Sequence, residues 1–358
     1  MKILDLYIIK KFLGTFFLTL ALFIIIAIVF DVTEKLEDFL DESIPISEII
    51  FDYYLNFIPY FAVLFTPLFL FVAVIFFTSR MANRSEIVAI LNSGITFRRL
   101  LVPYFLSAAF ITGLNIYANH WLIPNANKTR IAFEDAYIGY RPNKSGHNIH
   151  MQMAKDEFIY VENFNFEDST GYKFSYEKFN NGDLFYKIRA DKIRWENKNN
   201  TWALKNYVVR TNSDMIETLK FGKDTIITYD FLPEDFVQKL HEIKTLNSRE
   251  LNEVILELKA RGADNIAFYE VEKYTRTAFP FAILILTLIA VSLASRKARG
   301  GIGFHLGIGI GISFAYILFL QFSQTFSTNG DLPAIIGVWI PNIIFGILAV
   351  FLYARAPK

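Results

Sequence analysis

The stretch that decides the fold is FLGTFFLTLALFIIIAIVF, residues 12–30, an apolar run without a charged side chain. A helix needs about 20 such residues to cross the roughly 30 Å hydrocarbon core of a bilayer. The run is longer than the apolar core of a signal peptide, and no small-residue cleavage site follows it. We therefore expect it to be retained as a first span. Five further apolar runs occur at residues 57–79, 100–121, 279–295, 302–322 and 334–353.

The runs predict an α-helical integral membrane protein with six transmembrane helices in two groups of three. Residues 122–275, between the groups, are too polar to enter lipid. The chain has 358 residues and is 53% hydrophobic, above the ~45–50% of ordinary soluble domains. Its net charge of +1 gives no reason to expect nucleic acid. The absence of cysteine excludes disulfides and cysteine-ligated metals.

The loop charges predict the orientation, because cytoplasmic loops are enriched in Lys and Arg. Basic residues concentrate near both chain termini and in the loops around residues 80–99 and 296–299. By contrast, residues 31–56 are strongly acidic and residues 324–333 contain no basic side chain. We therefore predict that both termini are cytoplasmic and that the 122–275 insertion lies outside.

The insertion has the pattern of a β domain. Runs rich in β-branched and aromatic residues occur at 157–162, 185–195 and 202–210, with turns at 180–183 and 197–200. Strands at this spacing are typical of a sandwich or jelly roll. The abundant Phe and Tyr are open to two interpretations, a plain core or the lining of a slot for acyl chains.

A helix at about residues 248–261 is predicted to lead the chain back to the fourth span. Asn247 and Glu250 have capping-box spacing, apolar residues then repeat with helical period, and Gly262 is a natural stop. The predicted domains are residues 1–121 with spans one to three, 122–275 with the β domain and this connecting helix, and 276–358 with spans four to six.

The most distinctive short motif is the loop segment at about residues 83–94, which we predict to form a helix. Asn83 and Glu86 have the spacing of a helix cap, an apolar face follows, and Gly94 ends the pattern. One interpretation is an interfacial helix on the inner leaflet. The other is a coupling helix that docks into a groove of a cytoplasmic motor. The residues assigned to this element are Arg84, Ser85, Glu86, Ile87, Ile90, Leu91 and Gly94.

No sequence pattern indicates catalysis. The string closest to a Walker A loop, Gly222-Lys-Asp-Thr225, lacks its spacing, so we expect neither ATP hydrolysis nor a cofactor in this chain. His147 and His150 lack a nearby third ligand, which favours surface residues over a metal site. Ionisable residues are almost absent from the apolar runs, which argues against proton-coupled transport.

The fifth run carries Gly303, Gly307 and Gly311 at steps of four. Small residues at this spacing give a helix a flat face on which another helix packs closely. Packing within the subunit and packing against a second subunit are equally compatible with the sequence.

Several motifs lie in a fixed order along the whole chain. They are Leu4-Asp5-x-Tyr7-Ile8, Arg84-Ser-Glu-Ile-Val-Ala-Ile-Leu-Asn-Ser-Gly94, Trp121-x-x-Pro124, Phe158-Ile-Tyr-Val-Glu162, Ser313-Phe-x-Tyr316 and Pro333-Ala-Ile-Ile-Gly337. In order, spacing and topology they resemble the LptF/LptG (YjgP/YjgQ) family of lipopolysaccharide-export permeases. In its details the chain looks closer to LptG than to LptF.

The resemblance implies a non-catalytic permease subunit of an ABC transporter in the inner membrane. Two such subunits pair on a dimer of a cytoplasmic LptB-like ATPase, which binds ATP and Mg²⁺, and the 84–94 loop is the coupling element. Lipopolysaccharide enters from the outer leaflet near the first and fifth spans. It then passes a periplasmic jelly roll and reaches an LptC-like protein and a bridge toward the outer membrane.

One position departs from the family pattern. LptG-type members resemble one another in a lysine at the outer end of the first span, where this chain has Asp31, and Lys35 lies one turn further on. A less phosphorylated lipid A, recognition by the partner subunit and divalent-cation bridging would each fit this change.

Two other functions are alternatives to an export permease of this family. One is a different ABC-type lipid or lipoprotein export subunit, and the other is a membrane-anchored β domain that binds a partner. The three-plus-three arrangement disfavours the first, and the lack of a long cytoplasmic segment disfavours a sensor.

Overall fold

The computed structural model describes residues 3–41, 44–138, 145–154, 156–166, 168–180, 182–196, 200–213, 216–229, 231–233, 242–261, 266–296, 301–330 and 332–356. The chain forms two compact units. The membrane unit contains Met1–Ile138, His241–Asn252 and Ala267–Lys358, and the β unit contains Gly139–Leu240 and Glu253–Ile266.

Six of the described helices are long and apolar enough to cross a bilayer, which confirms the predicted two groups of three. In chain order the described α-helices are α1 (Ile3–Glu34), α2 (Leu36–Asp41), α3 (Ile46–Asn83), α4 (Glu86–Asn92), α5 (Phe97–Ile138), α6 (Ser248–Arg261), α7 (Ile266–Ala294), α8 (Gly301–Thr328) and α9 (Ala334–Ala354). Of these, α2, α4 and α6 are too short to span a bilayer.

Several helices extend beyond the apolar runs that predicted them, among them α5 and α7. α5 continues to Ile138, whereas the apolar run ends at residue 121. In this extension Phe133 is buried against Tyr53 and Phe57, so packing within the protein stabilises turns that lipid would not. α7 likewise begins at Ile266, before the predicted boundary at residue 276.

Polar side chains join the spans inside the apolar core. Ser79 Oγ of α3 and His305 Nδ1 of α8 are 2.8 Å apart. The Tyr316 hydroxyl of α8 donates to Asn342 Oδ1 of α9 at 3.0 Å, and Asn342 Nδ2 donates to the Ala278 carbonyl of α7 at 2.7 Å. Interhelical hydrogen bonds within membranes contribute about 0.6 kcal/mol each on average. These bonds therefore fix which faces of the helices meet.

A proline in the sixth span creates a further link. Pro341 has no N–H, so the carbonyl of Gly337 four residues earlier loses its helical donor. Ser323 of α8 donates its hydroxyl to that carbonyl instead. The two helices approach so closely here that a Cβ on Gly337 would collide with Ser327.

The described strands of the β unit form one six-stranded antiparallel sheet, which confirms the predicted β domain between the third and fourth spans. Each described strand pairs with the next in sequence, so these strands form a meander without the crossings of a Greek key. The strands are β1 (Ser145–Ala154), β2 (Glu157–Asn165), β3 (Thr170–Asn180), β4 (Asp183–Glu196), β5 (Thr201–Ser213) and β6 (Ile216–Ile227).

One face of the sheet carries a hydrophobic core. Buried members include Ile159, Phe174 and Ile188 from three adjacent strands, together with Trp202 of β5. The Trp202 indole N–H donates to the carbonyl of Phe231 at 3.0 Å, which satisfies its polar atom. For these aromatic residues the structure supports the interpretation as plain core.

A row of polar residues crosses the sheet and shifts the alternation of buried positions. In β4 the buried positions are even-numbered up to Ala190 and odd-numbered from Ile193. At the same level of the neighbouring strands, Lys173 and Asn206 adopt left-handed conformations with φ of 52° and 50°. Such a conformation costs a residue with a side chain roughly 1–2 kcal/mol. The shift keeps the apolar residues of both halves of β4 on one face of the sheet.

The connecting helix α6 begins with the predicted capping box. The Asn247 N–H donates to Glu250 Oε2 at 2.8 Å, and the Glu250 N–H donates to Asn247 Oδ1 at 2.9 Å. Leu251 and Ile255 are buried, as the helical period predicted. The predicted stop at Gly262 lies outside the described residues.

Candidate functional site

The predicted loop helix is present as α4, but its start differs from the prediction. Asn83 is the last residue of α3, and Ser85 precedes α4 with a left-handed φ of 61° and no side-chain capping bond. The Arg84 and Ser85 N–H groups still bond to carbonyls of the last turn of α3. The cap predicted at Asn83 is therefore wrong, because the chain turns sharply only after α3 has ended.

The two faces of α4 have opposite environments. Ile87, Ile90 and Leu91 share one face as predicted, but that face packs against the core of the membrane unit. Ile87 is only 1% exposed, whereas Val88 on the opposite face is 54% exposed. The apolar face is thus occupied by the protein itself and is not free to fill a groove in another protein. The open surface of the loop consists of Arg84, Ser85, Val88, Ala89, Asn92, Ser93 and Gly94.

Two residues near the start of α1 reach the same end of the membrane unit. The Tyr7 hydroxyl donates to Glu86 Oε2 at 3.2 Å. Arg99 of α5 donates to both carboxylate oxygens of Asp5 at 2.7 Å each. The sequence interpretation missed these contacts, because an acid in the first turn of a helix is favoured by the helix dipole alone and does not indicate a cationic partner.

The glycines of the fifth span lie on an open face. A Cβ added to Gly303, Gly307 or Gly311 would meet no described atom within 4 Å. Gly309 is instead buried against Ile75 and Phe71 of α3. Within the described chain, the three predicted packing glycines therefore have no helix against them.

The first and fifth spans are also the least covered by the rest of the protein. In their most apolar windows, 17% of α1 and 22% of α8 is buried, compared with 33–61% in the other four spans. These two helices thus offer the largest uncovered apolar surfaces of the membrane unit.

Asp31 and Lys35 lie together at the far end of α1, in a cluster that we call the outer polar cluster. Asp31 accepts hydrogen bonds from the hydroxyls of Tyr53 and Tyr54 at 3.1 Å each. Lys35 Nζ lies 3.1 Å from Asp31 Oδ1 and 3.6 Å from Glu134 Oε1, and it also contacts the Tyr53 hydroxyl. Both predicted headgroup residues are therefore bonded within this chain, and their predicted role stays a prediction.

Two more cations extend the outer polar cluster. Arg130 pairs with Glu134 at 3.2 Å, and its guanidinium lies 5.1 Å from the centroid of the Tyr60 ring. Lys244 donates to the Tyr60 hydroxyl at 3.0 Å. The spacing of Arg130 and Glu134 on one helix indicated their pair, but nothing in the sequence placed Lys244 beside them.

No group of three or more His, Cys, Asp or Glu in the described ranges has the arrangement of a metal site. His150 stacks against Tyr160 with ring centroids 4.5 Å apart. The side chain of His147 lies outside the described residues.

Two groups of three membrane-spanning helices, a short loop helix with one open face and an inserted β sheet define a polytopic membrane protein with a β domain between its third and fourth spans. The sequence model of the family described as "Lipopolysaccharide export system permease LptF/LptG" matches residues 6–355. The chain therefore belongs to the LptF/LptG family. Comparison with curated protein sequences found no match.

Membership defines the broad role of the chain. It is a multi-pass inner-membrane protein and a permease component of an ABC transporter, a component that is generally non-catalytic. Membership also implies that an ATPase drives the transporter and that lipopolysaccharide is its substrate.

Proposed function

We propose that this chain is the LptG-type permease of a complex that extracts lipopolysaccharide from the outer leaflet of the inner membrane. It passes the lipid to a periplasmic bridge toward the outer membrane. The observation that carries the proposal is the family match over residues 6–355, together with six spans and an inserted β sheet in the expected order.

In this proposal α4 contacts an LptB-like ATPase dimer in the cytoplasm. The Lys and Arg content of the short loops supports a cytoplasmic location for α4 and both termini and a periplasmic location for the β unit. Docking uses the open face with Arg84, Val88 and Asn92, because the opposite face is buried in the membrane unit. ATP and Mg²⁺ bind to the partner ATPase. The permease forms the path for the lipid and does not itself catalyse ATP hydrolysis.

A second LptF/LptG-type permease covers part of the first and fifth spans and completes the lipid cavity between the subunits. The large uncovered surfaces of α1 and α8 support this arrangement. The glycines on the open face of α8 would allow a partner helix to approach closely.

An LptC-like periplasmic protein receives the lipid from the β unit. β6 is an edge strand among the described strands, and Ile216 and Phe221 on it are 70% and 75% exposed. An exposed edge with apolar side chains is suited to strand addition by a β partner. Such an edge is otherwise an aggregation hazard.

The test is co-purification of the full chain with its ATPase in mild detergent, followed by reconstitution and measurement of ATP-driven lipopolysaccharide release. Val88→Asp should abolish recovery of the ATPase while the chain stays folded. Ile87→Asp is the matched control on the buried face and should lower the yield of folded chain itself. Failure of the unmodified chain to recover an ATPase, or to release lipopolysaccharide, would contradict the proposal.

A further inference from the structure

The start of α1 is joined to α5 by an ion pair whose carboxylate is buried. Arg99 binds both carboxylate oxygens of Asp5 at 2.7 Å, in the two-pronged geometry that makes guanidinium–carboxylate pairs strong and directional. The Asp5 side chain is 5% exposed and that of Arg99 is 36% exposed. Because two parallel hydrogen bonds fix this buried carboxylate, they restrict rotation of α1 about its axis.

A second contact joins α1 directly to α4. The Tyr7 hydroxyl donates to Glu86 at 3.2 Å, and Glu86 is the first residue of α4. Ile8 and Phe12 of α1 belong to the same buried cluster as Ile87 of α4. The Tyr7–Glu86 hydrogen bond therefore connects the two helices, and their apolar residues share one core.

Only this half of α1 is firmly packed. The buried residues of the helix are Asp5, Ile8, Phe12, Phe16 and Leu20, and no residue between Leu20 and Glu34 is buried. The second half is partly buried: the Phe23 ring lies 4.5 and 4.6 Å from those of Phe65 and Phe69 of α3, and Asp31 bonds to Tyr53 and Tyr54. Because no residue of this half is fully buried, fewer contacts oppose its movement when the first half is displaced.

We propose that Asp5 and Tyr7 form a latch through which movement of α4 is passed to the first span. The latch deepens the proposed function and rests on it. Binding and closure of the ATPase displace α4. Because Tyr7 holds α1 to α4 and Asp5 holds α1 to α5, α1 moves with them. Asp5 and Tyr7 are positioning residues, because they act on lipid only through the placement of α1.

The experiment uses the full chain in complex with its ATPase, reconstituted in liposomes that contain lipopolysaccharide. Because the chain has no cysteine, spin labels can be attached at Ile25→Cys and Ile347→Cys without background. Both positions are exposed, and they lie on the first and sixth spans. The inter-label distance is measured without nucleotide and in the vanadate-trapped state, in the parent and in a variant with Asp5→Asn and Tyr7→Phe.

The latch predicts that trapping shifts the inter-label distance in the parent and that the double variant loses this shift. The variant should still bind its ATPase and hydrolyse ATP. Its release of lipopolysaccharide per ATP should fall by about fivefold or more, which is a typical size for coupling between two sites. A variant that swaps the two charges, with Asp5→Arg and Arg99→Asp together, should keep the ion pair and release lipopolysaccharide as the parent does. Tyr7→Phe alone, which keeps the ring and the ion pair, should give a smaller loss with an unchanged melting temperature.

A parent that recovers no ATPase would overturn the proposed function itself. A parent that transports normally, with a double variant that keeps both the distance shift and the release per ATP, would overturn the latch alone. A merely structural role for Asp5 and Tyr7 would lower the melting temperature and ATP hydrolysis together, and it would leave release per ATP unchanged.

Discussion

Gly307 and Gly309 lie two residues apart on the fifth span, and the same substitution should change the stability of the chain differently at the two positions. A side chain at Gly309 would overlap Ile75 of α3, whereas one at Gly307 meets no described atom within 4 Å. Leucine changes the intrinsic helix preference equally at both positions, so that contribution cancels in the comparison. What remains is overpacking at Gly309, which typically costs 1–3 kcal/mol.

The assay is the thermal stability of each purified variant in detergent, measured for this chain alone and for its complex with the partner permease. Gly309→Leu should destabilise the isolated chain by about 1–3 kcal/mol relative to Gly307→Leu. Gly307→Leu should not destabilise the isolated chain and should weaken recovery of the partner permease. Equal destabilisation of the isolated chain by both substitutions would refute the assignment of the two faces.

Three further predictions concern charged residues. Arg84→Glu, on the open surface of the loop, should weaken recovery of the ATPase without loss of folded chain, as measured by co-purification. The Lys128 ammonium and the Asn247 N–H hold the pKa of Glu250 below its usual range, so their stabilisation is present above about pH 4.3. That stabilisation should be lost as the pH falls through the lower folded pKa, and a Glu250→Gln variant should show a weaker acid dependence of melting. Lys35→Ala should lower the melting temperature because Asp31 and Glu134 lose the ammonium that lies 3.1 and 3.6 Å from them, and added Mg²⁺ should partly restore it.

The sequence predicted the membrane helices well, because each span is an apolar run long enough to decide its own structure. It also predicted the start of α6, because the capping box of Asn247 and Glu250 is a local pattern whose two bonds form between residues three apart. The ends of α5 and α7 were less predictable. Burial of Phe133 against a distant tyrosine extends α5 beyond its apolar run.

The candidate site was predictable in position but not in orientation. The motif located α4, and its period showed that Ile87 and Ile90 share a face. Only the folded structure shows that this face turns inward and leaves Val88 open. The contact between Asp5 and Arg99 joins residues 94 positions apart, and no local pattern encodes such a pair.

The most direct test of the central claim is photo-crosslinking of lipopolysaccharide to single positions in the reconstituted complex. Photoreactive residues at Ile25 on the first span and Phe314 on the fifth span are compared with Phe110 on the third and Ile347 on the sixth, all of them exposed. The account predicts that lipopolysaccharide crosslinks at Ile25 and Phe314, that the controls stay low, and that ATP hydrolysis reduces the signal. Equal crosslinking at all four positions, or none at Ile25 and Phe314, would contradict an export path along these two helices.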